Sequence, residues 1–416
     1  MKSLMSAFWA LFIPCYASAL SGAKMQYWEQ DIDFYKEKVK TKHISPFHTL
    51  PEAEFDAQID KLKKDLPLLS EVEVETRLMG ITASIGDGHS NYFMMSGPHK
   101  HYPFRLKFFA DKLIIIASSK NYRDLVGSEL VSINGIDVSA LYKLLGSYLP
   151  GVDNRYSQTV RFEFYLTLEK LLRGLGVVID SQPAQFATRR GSIITNTHVS
   201  PVSMQAFSEV VHTFSVKTPK LDFQNINLAG IQLAFINNDT AYFRFTQYPK
   251  YEDVMAQCDA LKSRLTNSKA TKLIIDFRGN SGGSFYTGLA FSSCLQSLPQ
   301  FDWLAGTALL TDGHTFSAAM SNVLQFRQIF NAKIIGEPTG GDPNTFSESY
   351  RFALPNSGRQ LSLSVRYYPF IDEETDAVYP DVLVNTRWDD FQNGTDKVLL
   401  KALQVVGSAV SRVVSK

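Results

Sequence analysis

The chain has 416 residues, 44% of them hydrophobic, which is enough for two or three domains around a substantial buried core. Its 42 basic and 41 acidic residues leave a net charge of +1, and no long like-charge run crosses the sequence. That balance argues against nucleic acid and against an anionic membrane surface as partners.

The first nineteen residues carry Lys2, an apolar run from Leu4 to Tyr16, and the small-x-small sequence Ala17-Ser18-Ala19. Residues 1–19 read as a signal peptide cleaved after Ala19, which predicts a periplasmic or secreted protein. The apolar run is shorter than the roughly 20 residues that span a bilayer, and no later segment spans one, so no membrane span is expected after cleavage. Cys15 follows Phe12-Ile13-Pro14, bulkier than the residues a lipoprotein signal prefers. Cys258 and Cys294 then remain, an even count in an oxidising compartment, as one disulfide or as two buried thiols.

Residues Trp28 to about Ser84 have helical spacing, with Ile32, Tyr35 and Val39 in one segment and Phe55, Ile59, Leu62 and Leu66 in the next. Pro51-Glu52-Ala53-Glu54 is a favourable first helical turn. From Tyr102 to about Val138 short apolar runs alternate with turns, and Asn134-Gly135 predicts a hairpin. Helices are expected over Ala140–Tyr148 and Ser157–Leu175. The polar stretch from Ser181 to about Pro219 reads as a linker or crossover. Strand and helix then alternate: strands at Thr240–Phe245, Lys272–Phe277, Thr307–Thr311 and Lys333–Ile335, with helices around Tyr251–Leu265, Phe285–Gln296 and Phe316–Phe330. This punctuation predicts an α/β core with largely parallel strands.

Chemistry concentrates in three places. The buried strand ending at Phe277 runs into Arg278-Gly-Asn-Ser-Gly-Gly283, where glycines let backbone N–H groups converge on an anion or oxyanion. A phosphate loop would need Gly-Lys-Ser/Thr next, which is absent. Ser317 stands at a strand-to-helix junction, followed by the small residues Ala318 and Ala319; a serine there is either a helix cap or a nucleophile. A serine nucleophile needs a base, and among the eight histidines His89 stands out in Ile85-Gly-Asp-Gly-His-Ser90, a constrained turn after a helix. His314 is the rival base. His99 and His101 form a His-x-His pair with no third metal ligand in view, and no metal or cofactor is expected.

Four ordered motifs complete the pattern: LIIDFRGNSGG at 273–283, Thr315-Phe316-Ser317-Ala318, IIGEPTGG at 334–341, and Tyr379-Pro380-Asp381-Val382. In these the chain resembles the tail-specific protease family, the C-terminal-processing and tricorn-type serine peptidases. The resemblance implies an α/β fold with a ClpP/crotonase-like core, an N-terminal helical cap and a small β-rich PDZ-like region. The implied boundaries are 20–95 for the cap, 96–200 for the PDZ-like region with its helices and linker, and 201–416 for the catalytic core. It also implies Ser317 as nucleophile, with an oxyanion hole formed by the N–H groups of Ala318, Gly282 and Gly283. Members with a serine-lysine dyad carry lysine where this chain has Asp342, so the resemblance is to the histidine-containing branch, with His89 as base. The orienting acid falls among Asp372, Glu373, Glu374 and Asp376, with Glu374 or Asp376 favoured. LVGSELVSINGIDV at 125–138 is similar to the family's peptide-binding insert.

The function expected is an exported serine peptidase acting on peptide or protein substrates through an acyl-enzyme. The alternative is a catalytically inactive peptide- or ligand-binding protein on the same fold, kept open by the missing lysine. An esterase of the α/β-hydrolase kind is disfavoured, because Thr315 and Ala319 occupy the glycine positions of a GxSxG elbow.

Overall fold

The computed structural model describes residues 20–94, 99–180, 182–210, 212–213 and 221–407; the expected signal peptide lies outside them. Three helices open the chain, Gly22–Lys42, Glu52–Asp65 and Glu71–Ala83. Their apolar spacing buries Trp28, Ile32, Tyr35 and Val39 from the first and Phe55, Ile59 and Leu62 from the second. A capping box starts the third: the Ser70 hydroxyl accepts from the Glu73 N–H while the Glu73 carboxylate accepts from the Ser70 N–H. That helix delivers the chain into the turn that carries His89.

An antiparallel sheet follows, in which Phe104–Phe109 pairs with Lys112–Ser118, and Glu129–Ile133 lies between Lys112–Ser118 and Ala184–Arg190. The hairpin expected at Asn134-Gly135 is present, both residues having positive φ. Two expectations change here. Residues 181–219 contain a further hairpin, Ala184–Arg190 with Ile193–Val199. Its outer strand exposes Ile193 and Ile194 and so lacks the one-sided alternation that marks a half-buried strand. The helix expected over 157–175 is two helices, Arg155–Tyr165 and Glu169–Gly174, broken where the Thr167 hydroxyl turns back to the Phe164 carbonyl.

The second half is built on a six-stranded sheet in the order Ile231–Ile236, Thr240–Phe245, Lys272–Asp276, Thr307–Thr311, Lys333–Gly336, Val382–Leu383. The first pair is antiparallel and every other pair parallel. Phe243, Phe245, Leu273, Ile275 and Leu309 pack beneath the helices Tyr251–Thr266, Phe285–Gln296 and Ala318–Ile329. Tyr242, Ile274, Ala308 and Leu310 point the other way, onto the helix Lys397–Val405. Both faces are covered, which is why these strands read as continuous apolar runs. Loops at the carboxyl ends of such strands are where open α/β sheets place their sites.

A long hairpin, Asn344–Ala353 with Gln360–Pro369, leaves this sheet and returns to the N-terminal helices. Phe352, Leu354, Leu361 and Leu363 join the apolar core that contains Trp28, Tyr35 and Leu78. The buried Glu75 carboxylate accepts from Lys170 Nζ at 2.7 Å and from Arg359 Nη2 at 2.7 Å, tying the third helix to the second half of the chain. Removing one partner of such a buried ion set costs about 3–5 kcal/mol.

Cys258 and Cys294 form a disulfide between the helices Tyr251–Thr266 and Phe285–Gln296, 36 residues apart in sequence. Closing a loop of that length stabilises a fold by about 2–4 kcal/mol. Replacing both cysteines with alanine is expected to lower the thermal midpoint by several degrees, and thiol titration of the unreduced, unfolded parent should find neither sulfur free; an unchanged midpoint would show that the bridge adds nothing.

Candidate active site

The Ser317 turn is held from below by the glycine-rich loop. Asp312 accepts the N–H groups of Gly279 at 3.1 Å and His314 at 3.0 Å, and the buried Thr315 hydroxyl donates to the Phe277 carbonyl. Phe316 N–H donates to the Asn280 carbonyl at 3.1 Å. These contacts place Ser317 at φ 53°, ψ −129°, a region that a residue with a Cβ enters at a cost of about 1–3 kcal/mol. The strain has a visible result: Ser317 precedes the helix Ala318–Ile329 yet makes no side-chain capping bond. Its Oγ lies 2.9 Å from Nε2 of His89 instead, across 228 residues of sequence.

His89 is positioned by its own turn. The Asp87 carboxylate accepts the N–H of His89 at 2.9 Å and that of Ser90 at 2.7 Å, and the His89 carbonyl accepts from the Ser362 hydroxyl at 2.9 Å. The Phe316 ring stacks on the imidazole with centroids 5.3 Å apart. Burial holds the His89 pKa below the ordinary imidazole value, with Arg161 adding to the effect and the Asp87 charge opposing it. The Phe346 main-chain carbonyl also favours the charged ring, although buried Nδ1 closes no hydrogen bond of good geometry. A half-buried imidazole within hydrogen-bond reach of a half-buried serine hydroxyl can accept its proton.

Around Ser317 the glycines separate into two roles. A Cβ on Gly282 would lie 2.7 Å from the Ser317 Cβ and 2.9 Å from the Phe316 carbonyl, and its φ of +105° excludes other residues independently. Its N–H, however, donates to the Asn280 side chain at 2.9 Å, so the oxyanion role expected for Gly282 is corrected to one of close approach. Among the described residues no acceptor takes the N–H of Ala318 or of Gly283, which leaves both free to donate to an anion. Asn280 is the residue that sequence reading missed. Fully buried, it also donates to the Phe245 carbonyl at 2.8 Å and so joins the glycine turn to the neighbouring strand.

The expected acids are elsewhere. Glu374 is exposed, and the Asp376 carboxylate accepts from the Tyr379 hydroxyl at 2.9 Å; neither forms a hydrogen bond or ion pair with His89. Asn154 Nδ2 holds the Asp376 carbonyl at 2.6 Å and fixes this loop by its main chain, while Asp372 and Glu373 are exposed beside it. His314 lies 3.7 Å from Asp312 and makes no bond to Ser317. His101 Nδ1 meets the Thr167 hydroxyl at 3.1 Å and its ring stacks on Phe207, so the His-x-His pair is part of a packed interior. Among the described residues no three His, Cys, Asp or Glu side chains are grouped to hold a metal ion. Asp342, where the dyad lysine would stand, donates its N–H to Asp153 at 3.2 Å. Burial, with the nearby charges of Asp87 and Asp342, raises the Asp153 carboxyl to about 7.

The close approach makes a prediction. Gly282→Ala is expected to displace Ser317 and reduce labelling by a fluorophosphonate about 100-fold while the fold is retained by circular dichroism; labelling at the parent rate would show that the contact is slack.

No family model and no curated protein sequence matches the chain. Solved structures do. A serine-to-alanine mutant of CPAF superposes with a TM-score of 0.67 at 12% identity, over 93% of this chain and 99% of that one. Mature CPAF gives 0.64 at 14% identity, over 92% and 98%. Mature CPAF complexed with lactacystin gives 0.62 at 13% identity, over the same shares. At these identities the likeness concerns the fold. The chain has the fold of CPAF.

Proposed function

We propose that this chain is a serine-type peptidase in which Ser317 is the nucleophile and His89 the general base. The observation that carries the reading is the 2.9 Å contact between Ser317 Oγ and His89 Nε2 beside the unoccupied N–H groups of Ala318 and Gly283. Ser317 attacks a peptide carbonyl as His89 takes its proton. The developing oxyanion is met by the two N–H groups and by the positive end of the helix Ala318–Ile329. The tetrahedral intermediate collapses as the imidazolium gives its proton to the leaving amine, and water, activated by the same imidazole, hydrolyses the acyl-enzyme. The protease fold of the structural neighbours supports a peptide as the acyl donor.

In this reading residues 1–19 direct export to the periplasm or the exterior. The six-stranded sheet serves as a ClpP/crotonase-like core, and the antiparallel sheet around Glu129–Ile133 as a PDZ-like module that presents peptide. Among the described residues no helix is long and apolar enough to cross a membrane.

Hydrolysis of casein or of a fluorogenic peptide tests the assignment. Ser317→Ala and His89→Ala should each lower kcat by about 10⁴-fold or more, and the double variant little further, because the two act as a unit. Turnover by Ser317→Ala at the parent rate would refute it. The pH profile gives a second test. A base must be unprotonated, and the His89 pKa is depressed by burial, so kcat/KM is expected to rise with pH through a midpoint below the ordinary 6.5 and to stay high at neutral pH; a midpoint above 6.5 would contradict the site's electrostatics.

A further inference from the structure

His89 lacks a carboxylate on Nδ1, yet a carboxylate lies directly beneath it. Asp87 is buried, its side chain 1% exposed, and accepts four hydrogen bonds. Oδ1 takes the N–H of His89, the N–H of Ser90 and the Ser364 hydroxyl, at 2.9, 2.7 and 2.6 Å. Oδ2 takes Nε2 of His43 at 2.9 Å. The Ser45 N–H donates to Nδ1 of His43 at 3.0 Å, so that nitrogen is an acceptor and the proton sits on Nε2, facing Asp87. Burying a carboxylate costs several kcal/mol unless its lone pairs are met by donors. Here the donors come from three parts of the chain: His43 at the end of the first helix, the His89–Ser90 turn, and Ser364 of the hairpin strand Gln360–Pro369.

We propose that Asp87 is the positioning residue of His89, fixing the imidazole through its main chain and supplying from below the negative charge that stabilises the imidazolium formed when Ser317 is deprotonated. The inference rests on the peptidase reading for its catalytic meaning. His43 and Ser364 act one step further out, holding the carboxylate in its ionised form. The geometry explains why the ring can do without a carboxylate on Nδ1: the turn is locked by the two N–H bonds below, by the Ser362 hydroxyl on its carbonyl and by the Phe316 ring above. The electrostatics agree in sign. Burial raises the Asp87 pKa, but hydrogen bonds from His43, Ser364 and Ser90 and the electrostatic pull of His43 outweigh it and bring the pKa to about 2, so the charge is present throughout the working range. Other charged groups also face His89. Arg161 opposes the imidazolium. Asp153 packs against Gly88, the residue before His89, and burial raises its carboxyl to about 7.

The test is the titration of the His89 ring, followed by NMR on protein labelled with ¹⁵N-histidine, in the parent and in Asp87→Asn. Asparagine keeps the shape and an acceptor for the two N–H groups but removes the charge. The His89 midpoint is expected to fall by about one pH unit, with kcat/KM about tenfold lower and its acid limb displaced by the same amount. Asp87→Ser, which keeps a short acceptor at the same place, carries the same expectation should asparagine not fold. A folded neutral variant whose His89 midpoint equals that of the parent overturns the proposal. So does failure of both variants to fold, which would assign Asp87 to the fold alone. Because the titration needs no turnover, a parent without hydrolytic activity would defeat the peptidase reading and still leave the Asp87 coupling measured.

Discussion

The contact between Ser317 and His89 joins two separately packed parts of the chain, and the site exists only while those parts are held in register. Ser317 belongs to the parallel sheet and its helices; His89 belongs to the N-terminal helices. The hairpin Asn344–Ala353 and Gln360–Pro369 bridges them. It starts beside the Ser317 turn, pairs with Asn91–Tyr92 just after His89, and buries Leu361 and Leu363 in the core of the N-terminal helices. Asn154 makes a second tie, donating to the carbonyls of Thr339 and Asp376. A displacement of about 1 Å between Ser317 Oγ and His89 Nε2 would take the two atoms out of hydrogen-bond reach.

Strain at Ser317 has to be sustained by its neighbours. The left-handed backbone at that residue persists because Asn280, Thr315 and Asp312 determine the path on both sides of it, and because Gly282 leaves room for its Cβ. The same strain turns the hydroxyl away from capping its helix, freeing it for His89. One conformational feature therefore decides between the two uses that a serine at a helix start can have.

Much of this was legible in the sequence where burial is two-sided or a turn demands particular residues. The parallel strands announced themselves as apolar runs, Asn134-Gly135 as a hairpin and Gly279 to Gly283 as a tight turn. The pairing of Ser317 with His89 came from the constrained Gly-Asp-Gly-His turn and the family resemblance, since nothing local links residues so far apart. The two long hairpins were hidden because their strands expose much of their length: Ile193–Val199 is an outer strand, and Asn344–Ala353 carries Ser347, Glu348 and Ser349 in its middle. Asn280 and His43 were hidden for a different reason. Their roles depend on buried hydrogen bonds to distant main chain or to a distant carboxylate, and a polar residue in a loop gives no sign of these. The acid beside His89 was sought in the 372–376 loop, a cluster of carboxylates with little to hide from solvent. The buried carboxylate nearest to His89 in the chain is Asp87, two residues before it.

The electrostatic design follows from the same separation. Burial favours a neutral His89 in the resting state, which suits a base, and the Asp87 charge limits how far that depression goes. The central claim is that Ser317 is made nucleophilic by His89, and peptide mapping of protein treated with a fluorophosphonate tests it most directly. The account predicts a single phosphonylated serine, Ser317, in the parent and about 10³-fold slower modification in His89→Ala. Modification of another serine, or equal rates in the two proteins, would contradict it.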